Sequence, residues 1–186
     1  IETEKGARET FDAIVPALGQ LSRPCFPEIA GVHDFAGPKW HAAEWDDSVD
    51  LTGKRVGVIG SAASAVQLIP EVAKIAGHLT VFQRTPNWVV PRNDSHVTPE
   101  VKALMATNLE MAMKLGAQQR AAIFDNADTY FWQAFKWTPE GRAAYTRTAL
   151  DHLEAQVPDP ELRAKLTPDY PIGCKRILIT DDFYPA

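Results

Sequence analysis

RVGVIGSAASAVQLIPEVAKIAGHLTVFQRT, residues 55–85, reads as a strand, a turn, a helix and a second strand. Val56 to Ile59 form an apolar run without polar alternation, which predicts a strand buried on both faces of a parallel sheet. The Ala-rich stretch from Ser61 to Ala76 has helical character, and HLTVFQR restores a strand pattern at residues 78–84. Two strands joined through a helix predict a right-handed βαβ unit, and hence an α/β fold with a Rossmann-like parallel sheet. Pro70 falls inside the expected helix, where its missing N–H and ring clash predict a kink or an early end.

The turn between the first strand and the helix is where chemistry can begin. Gly60 closes the strand, and Ser61, Ala62, Ala63 and Ser64 lead into the helix at Ala65. Backbone N–H groups at such a helix start have no intrahelical partners and can receive a pyrophosphate. Gln67, in the first turn, joins this candidate set. The glycine pattern is incomplete: Ala62 stands where a second glycine lets phosphate approach the backbone, and Ala65 stands at the third position, where alanine is accepted. An ordinary tight strand–helix turn fits the same letters. The second strand ends in Arg84-Thr85, not in the acid that binds a ribose 2′-hydroxyl in an NAD site. A guanidinium can grip a phosphate through two N–H bonds and a neighbouring hydroxyl can add a third, so strand, loop, helix and cation together predict NADP(H). The alternative for Arg84 is a solvated cation at a strand end.

Composition sets limits around this unit. The chain has 186 residues, enough for about one domain that buries roughly 70% of its unfolded surface. Its 19 Lys and Arg against 24 Asp and Glu give a formal charge of −5 with no basic run, which argues against nucleic acid as a partner. Cys25 and Cys174 are remote in sequence and lack CxxC or His spacing. Neither a disulfide framework nor a metal site is therefore expected, and the setting is read as reducing and cytoplasmic. No apolar run approaches the roughly 20 residues of a membrane span, and the polar start IETEKGARET is not a signal peptide. The absence of an initial Met predicts a fragment.

The organisation changes along the chain. FDAIVPALG, residues 11–19, predicts a short strand, followed by an exit loop with Pro24, Pro27 and Gly31. Residues 1–50 are read as the tail of an adjoining domain with a linker, and residues 51–95 as the first βαβ of a nucleotide-binding domain. Residues 96–167 are read as a helical insertion, in which Pro99 and Pro139 fit first-turn positions and Thr98 and Thr138 fit N-caps. Residues 168–186 return to the domain, with Ile177 to Thr180 as a third strand.

FAGPKWHAAEWD, Phe35 to Asp46, is too crowded with aromatics for a plain loop and too irregular for a helix face or a strand. It fits F-x-G-x-x-x-H-x-x-x-W-[P/D] with Phe35, Gly37, His41, Trp45 and Asp46 in register, and so resembles the fingerprint of Baeyer–Villiger monooxygenases. Flavin monooxygenases that oxygenate nitrogen or sulfur carry a similar segment without the Trp-Pro or Trp-Asp ending. The resemblance continues through ALGQLSRPCFPEIAG, VFQRTPNWVVPR and LTPDYPIGCKRILITDDFYPA. It covers nearly the whole chain and is weakest over residues 95–155.

This resemblance implies an NADPH- and FAD-dependent enzyme that uses O2 to convert a ketone or aldehyde into an ester or lactone. The fingerprint would lie in a linker between an FAD domain and an NADP domain, its aromatics buried at the seam, Gly37 supplying a turn, and His41 and Asp46 supplying polar contacts near the cofactor. A satisfied, buried histidine is the plainer alternative for His41. In GCKRIL, Lys175 resembles the lysine that joins the 2′-phosphate site, and Arg176 resembles the arginine facing the flavin, where a fixed guanidinium would stabilise negative charge on oxygen. Without the resemblance, the two would read as a solvated pair before a strand. No strand with G-x-G-x-x-G precedes residue 50, so the FAD-binding half is expected outside this chain. The alternatives are a non-catalytic NADP(H)-binding module and an N- or S-oxygenating enzyme. An exposed linker face would favour self-association.

Overall fold

β1 (Arg55–Ile59) and β2 (His78–Phe82) pair in parallel, with Val56 opposite Leu79 and Ile59 opposite Phe82, and α1 (Ala65–Ile75) connects them. This is the expected βαβ unit. It is seen in a computed structural model that describes residues 2, 4–17, 19, 21, 23–93, 96–126, 132 and 138–186. The chain divides into two units, Ile1–Asp50 and Leu51–Ala186.

The expectation of a strand buried on both faces is not met. Val56 and Val58 are half-buried, whereas Arg55, Gly57 and Ile59 are exposed; on β2, Phe82 is 58% exposed. Alternate residues of a strand point to opposite faces, so one helix covers one face only. α1 supplies that cover with Ala65, Val66, Ile69 and Val72, all buried. Its apolar spacing of three and four residues turns one stripe inward. Pro70 does not shorten the helix, which continues to Ile75, and Pro70 is itself buried.

A second parallel pair joins β3 (Val89–Val90) to β4 (Leu178–Ile179). Leu178 N–H donates to the Trp88 carbonyl at 2.9 Å and Thr180 N–H to the Val90 carbonyl at 3.1 Å, which extends the pairing on either side. The third strand expected at Ile177 to Thr180 is thus present, on a partner that local pattern did not single out. Val66 of α1 packs with Val89 and Leu178, so the helix that covers β1 and β2 also touches the second pair.

Between the two β3–β4 halves of the sequence run α2 (Pro99–Thr107), α3 (Leu109–Asn126), α4 (Pro139–Gln156) and α5 (Pro160–Leu166). Thr98 and Thr138 are the N-caps of α2 and α4: their side chains accept from Val101 and Gly141 N–H, and a proline follows each. α4 buries Gly141, Tyr145, Ala149 and Leu153, a stripe at four-residue spacing. Tyr145 and Ala149 pack with Trp88, Val90, Ile172 and Ile177 in the main core. α2 buries none of its residues.

In the first unit, the described residues of 11–19 form no strand and are exposed. Pro16 removes a ladder donor, and the β-bridge described in this unit joins Glu2 to Arg8. An apolar run without a partner strand has no ladder to complete.

Candidate nucleotide-binding site

Gly60 stands at the carboxyl end of β1 with φ of 107°, a left-handed conformation that a side chain would strain. Its N–H donates to the Phe82 carbonyl at 2.9 Å, so the turn begins beside the end of β2. Ser61 is buried, while Ala62 and Ser64 are exposed and Ala63 is half-buried. Val66 N–H donates to Ala62 and Leu68 N–H to Ser64, which starts the helical pattern. Among the described residues, the N–H groups of Ala62, Ala63 and Ser64 meet no acceptor. Ser64 occupies the N-cap of α1 without a side-chain cap bond. The helix start therefore presents donors and the positive end of its dipole to solvent. Ala62 narrows the backbone approach that a glycine would leave open. Gln67 turns back, its Nε2 donating to the Ala63 carbonyl at 2.8 Å, and so steadies the turn.

Arg84 lies two residues beyond Phe82. It is exposed and makes no hydrogen bond or ion pair among the described residues; Thr85 beside it is half-buried. Loop and cation thus sit at the carboxyl ends of adjacent parallel strands, the position where open α/β sheets bind ligands. Asn87 ties the following segment to the turn: its Nδ2 donates to the Ser61 carbonyl at 2.9 Å and lies 3.3 Å from Ser61 Oγ.

Lys175 reaches the same neighbourhood from the other end of the chain. Its ammonium lies 4.3 Å from the centre of the Tyr170 ring. The Tyr170 hydroxyl donates to the Pro86 carbonyl at 3.0 Å, two residues beyond Arg84. Burial pushes the Tyr170 phenol above its ordinary value. Arg176 is exposed and unpaired among the described residues, immediately before the buried Ile177. Asn87 and Tyr170 are the residues that sequence reading did not assign. Both lie inside the stretches VFQRTPNWVVPR and LTPDYPIGCKRILITDDFYPA, and a polar or aromatic residue set among turn formers was the available signal.

His41 and Asp46 belong to the first unit. His41 is half-buried and its Nδ1 accepts from Ala43 N–H at 3.1 Å. Asp46 is exposed, and its Oδ1 accepts from Ser48 N–H at 3.0 Å and Ser48 Oγ at 2.6 Å. These bonds hold its carboxyl below the ordinary aspartate value. Trp40 and Trp45 meet edge to face, ring centres 5.5 Å apart. Gly37 lies at a bend, and a Cβ there would fall 2.6 Å from Cε1 and Cζ of Phe35. Phe35 is 60% exposed and Trp45 43% exposed.

Among the described residues no group of three or more His, Cys, Asp or Glu side chains could hold a metal ion, and no helix is long and apolar enough to cross a membrane.

The sequence profile of the flavin-binding monooxygenase-like (FMO-like) family matches residues 1–126. A Baeyer-Villiger monooxygenase from Streptomyces coelicolor is 41% identical over 186 residues, 100% of this chain and 35% of that protein. Among solved structures, cyclohexanone monooxygenase from Rhodococcus sp. Phi1 bound to NADP+ superposes with a TM-score of 0.67 at 28% identity, covering 99% of this chain and 40% of that one. OTEMO in complex with FAD and NADP superposes with a TM-score of 0.65 at 28% identity, covering 91% and 38%. The chain spans about a third of the length of the curated relatives it matches.

Proposed function

This chain belongs to the flavin-binding monooxygenase-like family, and on that premise we propose that it is the NADP(H)-binding region, with its linker, of an FAD-dependent Baeyer–Villiger monooxygenase. The full-length enzyme inserts one oxygen atom of O2 into a ketone or aldehyde and yields an ester or lactone. The observation that carries this reading is the pairing of three unbonded N–H groups, at Ala62, Ala63 and Ser64, with an unpaired Arg84 at the ends of adjacent parallel strands. A pyrophosphate and a 2′-phosphate on one nucleotide would satisfy both.

The residues present fit the nicotinamide nucleotide. Ala62, Ala63 and Ser64 receive the pyrophosphate on their N–H groups, Gly60 permits the turn, and Ser61 and Gln67 steady it. Arg84, Thr85 and Lys175 hold the 2′-phosphate. When bound, the two cofactors supply hydride transfer and oxygen activation. Arg176 contributes a fixed positive charge where negative charge develops on oxygen, and it cannot itself donate a proton away at neutral pH. His41 and Asp46 order the linker through their turn bonds. The exposed Phe35 and Trp45 are available to pack at a seam with other segments of the full-length protein, which would also carry the grip on FAD.

The reading is tested by supplying the full-length protein with FAD, NADPH, O2 and a panel of cyclic and linear ketones. Ester or lactone formed in step with NADPH consumption is expected. N- or S-oxidation without any ester would reject the Baeyer–Villiger assignment.

A further inference from the structure

Tyr170 touches Lys175 and the segment that follows Arg84. Its hydroxyl is bonded to the Pro86 carbonyl at 3.0 Å, its ring carries the Lys175 ammonium at 4.3 Å, and its own carbonyl accepts from Trp88 Nε1 at 2.8 Å. Ile172, two residues on, is 1% exposed in the main core, so the backbone under the ring is anchored. One ring and one hydrogen bond therefore lie between the Lys175 charge and the strand exit that bears Arg84.

We propose that Tyr170 is a positioning residue that holds Lys175 beside the Arg84–Pro86 strand exit, and so sets discrimination for a nucleotide with a ribose 2′-phosphate over one with a free 2′-hydroxyl. The inference rests on reading Arg84 and Lys175 as the phosphate site. A free lysine has many rotamers, and a phosphate that recruits it must restrict them. A ring face beneath the ammonium restricts them beforehand. The attraction of a cation to a partly exposed ring is weaker than a charge-assisted bond to phosphate, so the ring holds the ammonium without competing with the ligand. The hydroxyl matters because it fixes the ring relative to Pro86, and through it relative to Arg84.

The test measures dissociation constants for NADPH and NADH on the full-length protein and on Tyr170→Phe, Lys175→Ala and the double variant. Tyr170→Phe keeps the ring and removes only the tie to Pro86. It is expected to weaken NADPH binding about threefold, the effect of one modest hydrogen bond, and to leave NADH binding unchanged. The double variant is expected to bind NADPH as Lys175→Ala does, since Tyr170 acts through Lys175. Equal weakening of both nucleotides in Tyr170→Phe would assign Tyr170 a merely structural role and overturn the inference, as would additive losses in the double variant. If the unsubstituted protein fails to discriminate, the phosphate-site reading falls and this inference falls with it. If it discriminates and Lys175→Ala alone lowers the discrimination, only the role of Tyr170 is overturned.

Discussion

Polar groups meet opposite fates at the Gly60–Thr85 end of the βαβ unit and at the β3–β4 seam. At the seam most are consumed by the fold, Gln156 Oε1 being the exception, buried without a partner among the described residues. Trp88 Nε1 bonds the Tyr170 carbonyl, His152 Nε2 lies 2.9 Å from the Thr180 carbonyl, Gln156 donates to the Asp181 carbonyl, and Asp181 Oδ1 accepts from Arg92 and Asn93 N–H. At the βαβ end the Ala62–Ser64 N–H groups and the Arg84 guanidinium are left without partners among the described residues. Buried polar groups are costly unless bonded, whereas exposed ones can wait in water. The seam is therefore where stability resides, and the βαβ end is where a ligand can be recognised.

The largest effect that would break this contrast comes from the seam core. Ile172→Ala removes a fully buried side chain and is expected to cost about 2–5 kcal/mol in chemical denaturation. A loss well under 1 kcal/mol would mean the seam does not hold the unit together.

Alkaline pH sharpens the same point. Burial raises the Tyr184 phenol from 10.0 to about 12, beside Val66, Val89 and Leu178. A raised folded pKa makes the neutral form the stabilising one. Its contribution is fully present below the unfolded value, 10.0, and is lost as pH rises through about 12. Tyr184→Phe should flatten the fall in stability between these pH values, and an unchanged pH profile would count against burial as the cause.

A smaller loss is expected for His152→Ala, about 1 kcal/mol for one hydrogen bond to the Thr180 carbonyl, read as a shift in denaturation midpoint. The smallest effect extends the contrast to the first unit, where Ser48 consumes the Asp46 carboxylate. Asp46 titrates low, so its contribution is present above the ordinary 3.8 and is lost as pH falls through the lower folded value. Ser48→Ala should return the Asp46 carboxyl toward 3.8 in an NMR titration; no movement would show that the bonds to Ser48 are not what lowers it.

Sequence carried the parts of this account whose signals are local. The βαβ unit, the caps at Thr98 and Thr138 and the tight strand–helix turn at Gly60 are each written in one continuous stretch of residues, and each is present. The failures are long-range. β3 is only two residues long and directly precedes Pro91, and only β4, far along the chain, makes it a strand. The apolar run at Val56–Ile59 says nothing about whether a second layer covers it, and one face is open. Among the described residues, the apolar letters of 11–19 have no partner strand. Tyr170 and Asn87 gain their meaning from bonds to Pro86 and Ser61, contacts that no local period encodes.

The proposed role of Arg84, exposed and unpaired among the described residues, is to meet a 2′-phosphate. It is tested most directly by titrating the full-length protein and its Arg84→Ala variant with NADPH and with NADH. The unsubstituted protein should prefer NADPH, and Arg84→Ala should lose about 1.5–3 kcal/mol of NADPH affinity, roughly one to two decades, with NADH affinity and thermal stability unchanged. Equal affinities for the two nucleotides in the unsubstituted protein would contradict the account.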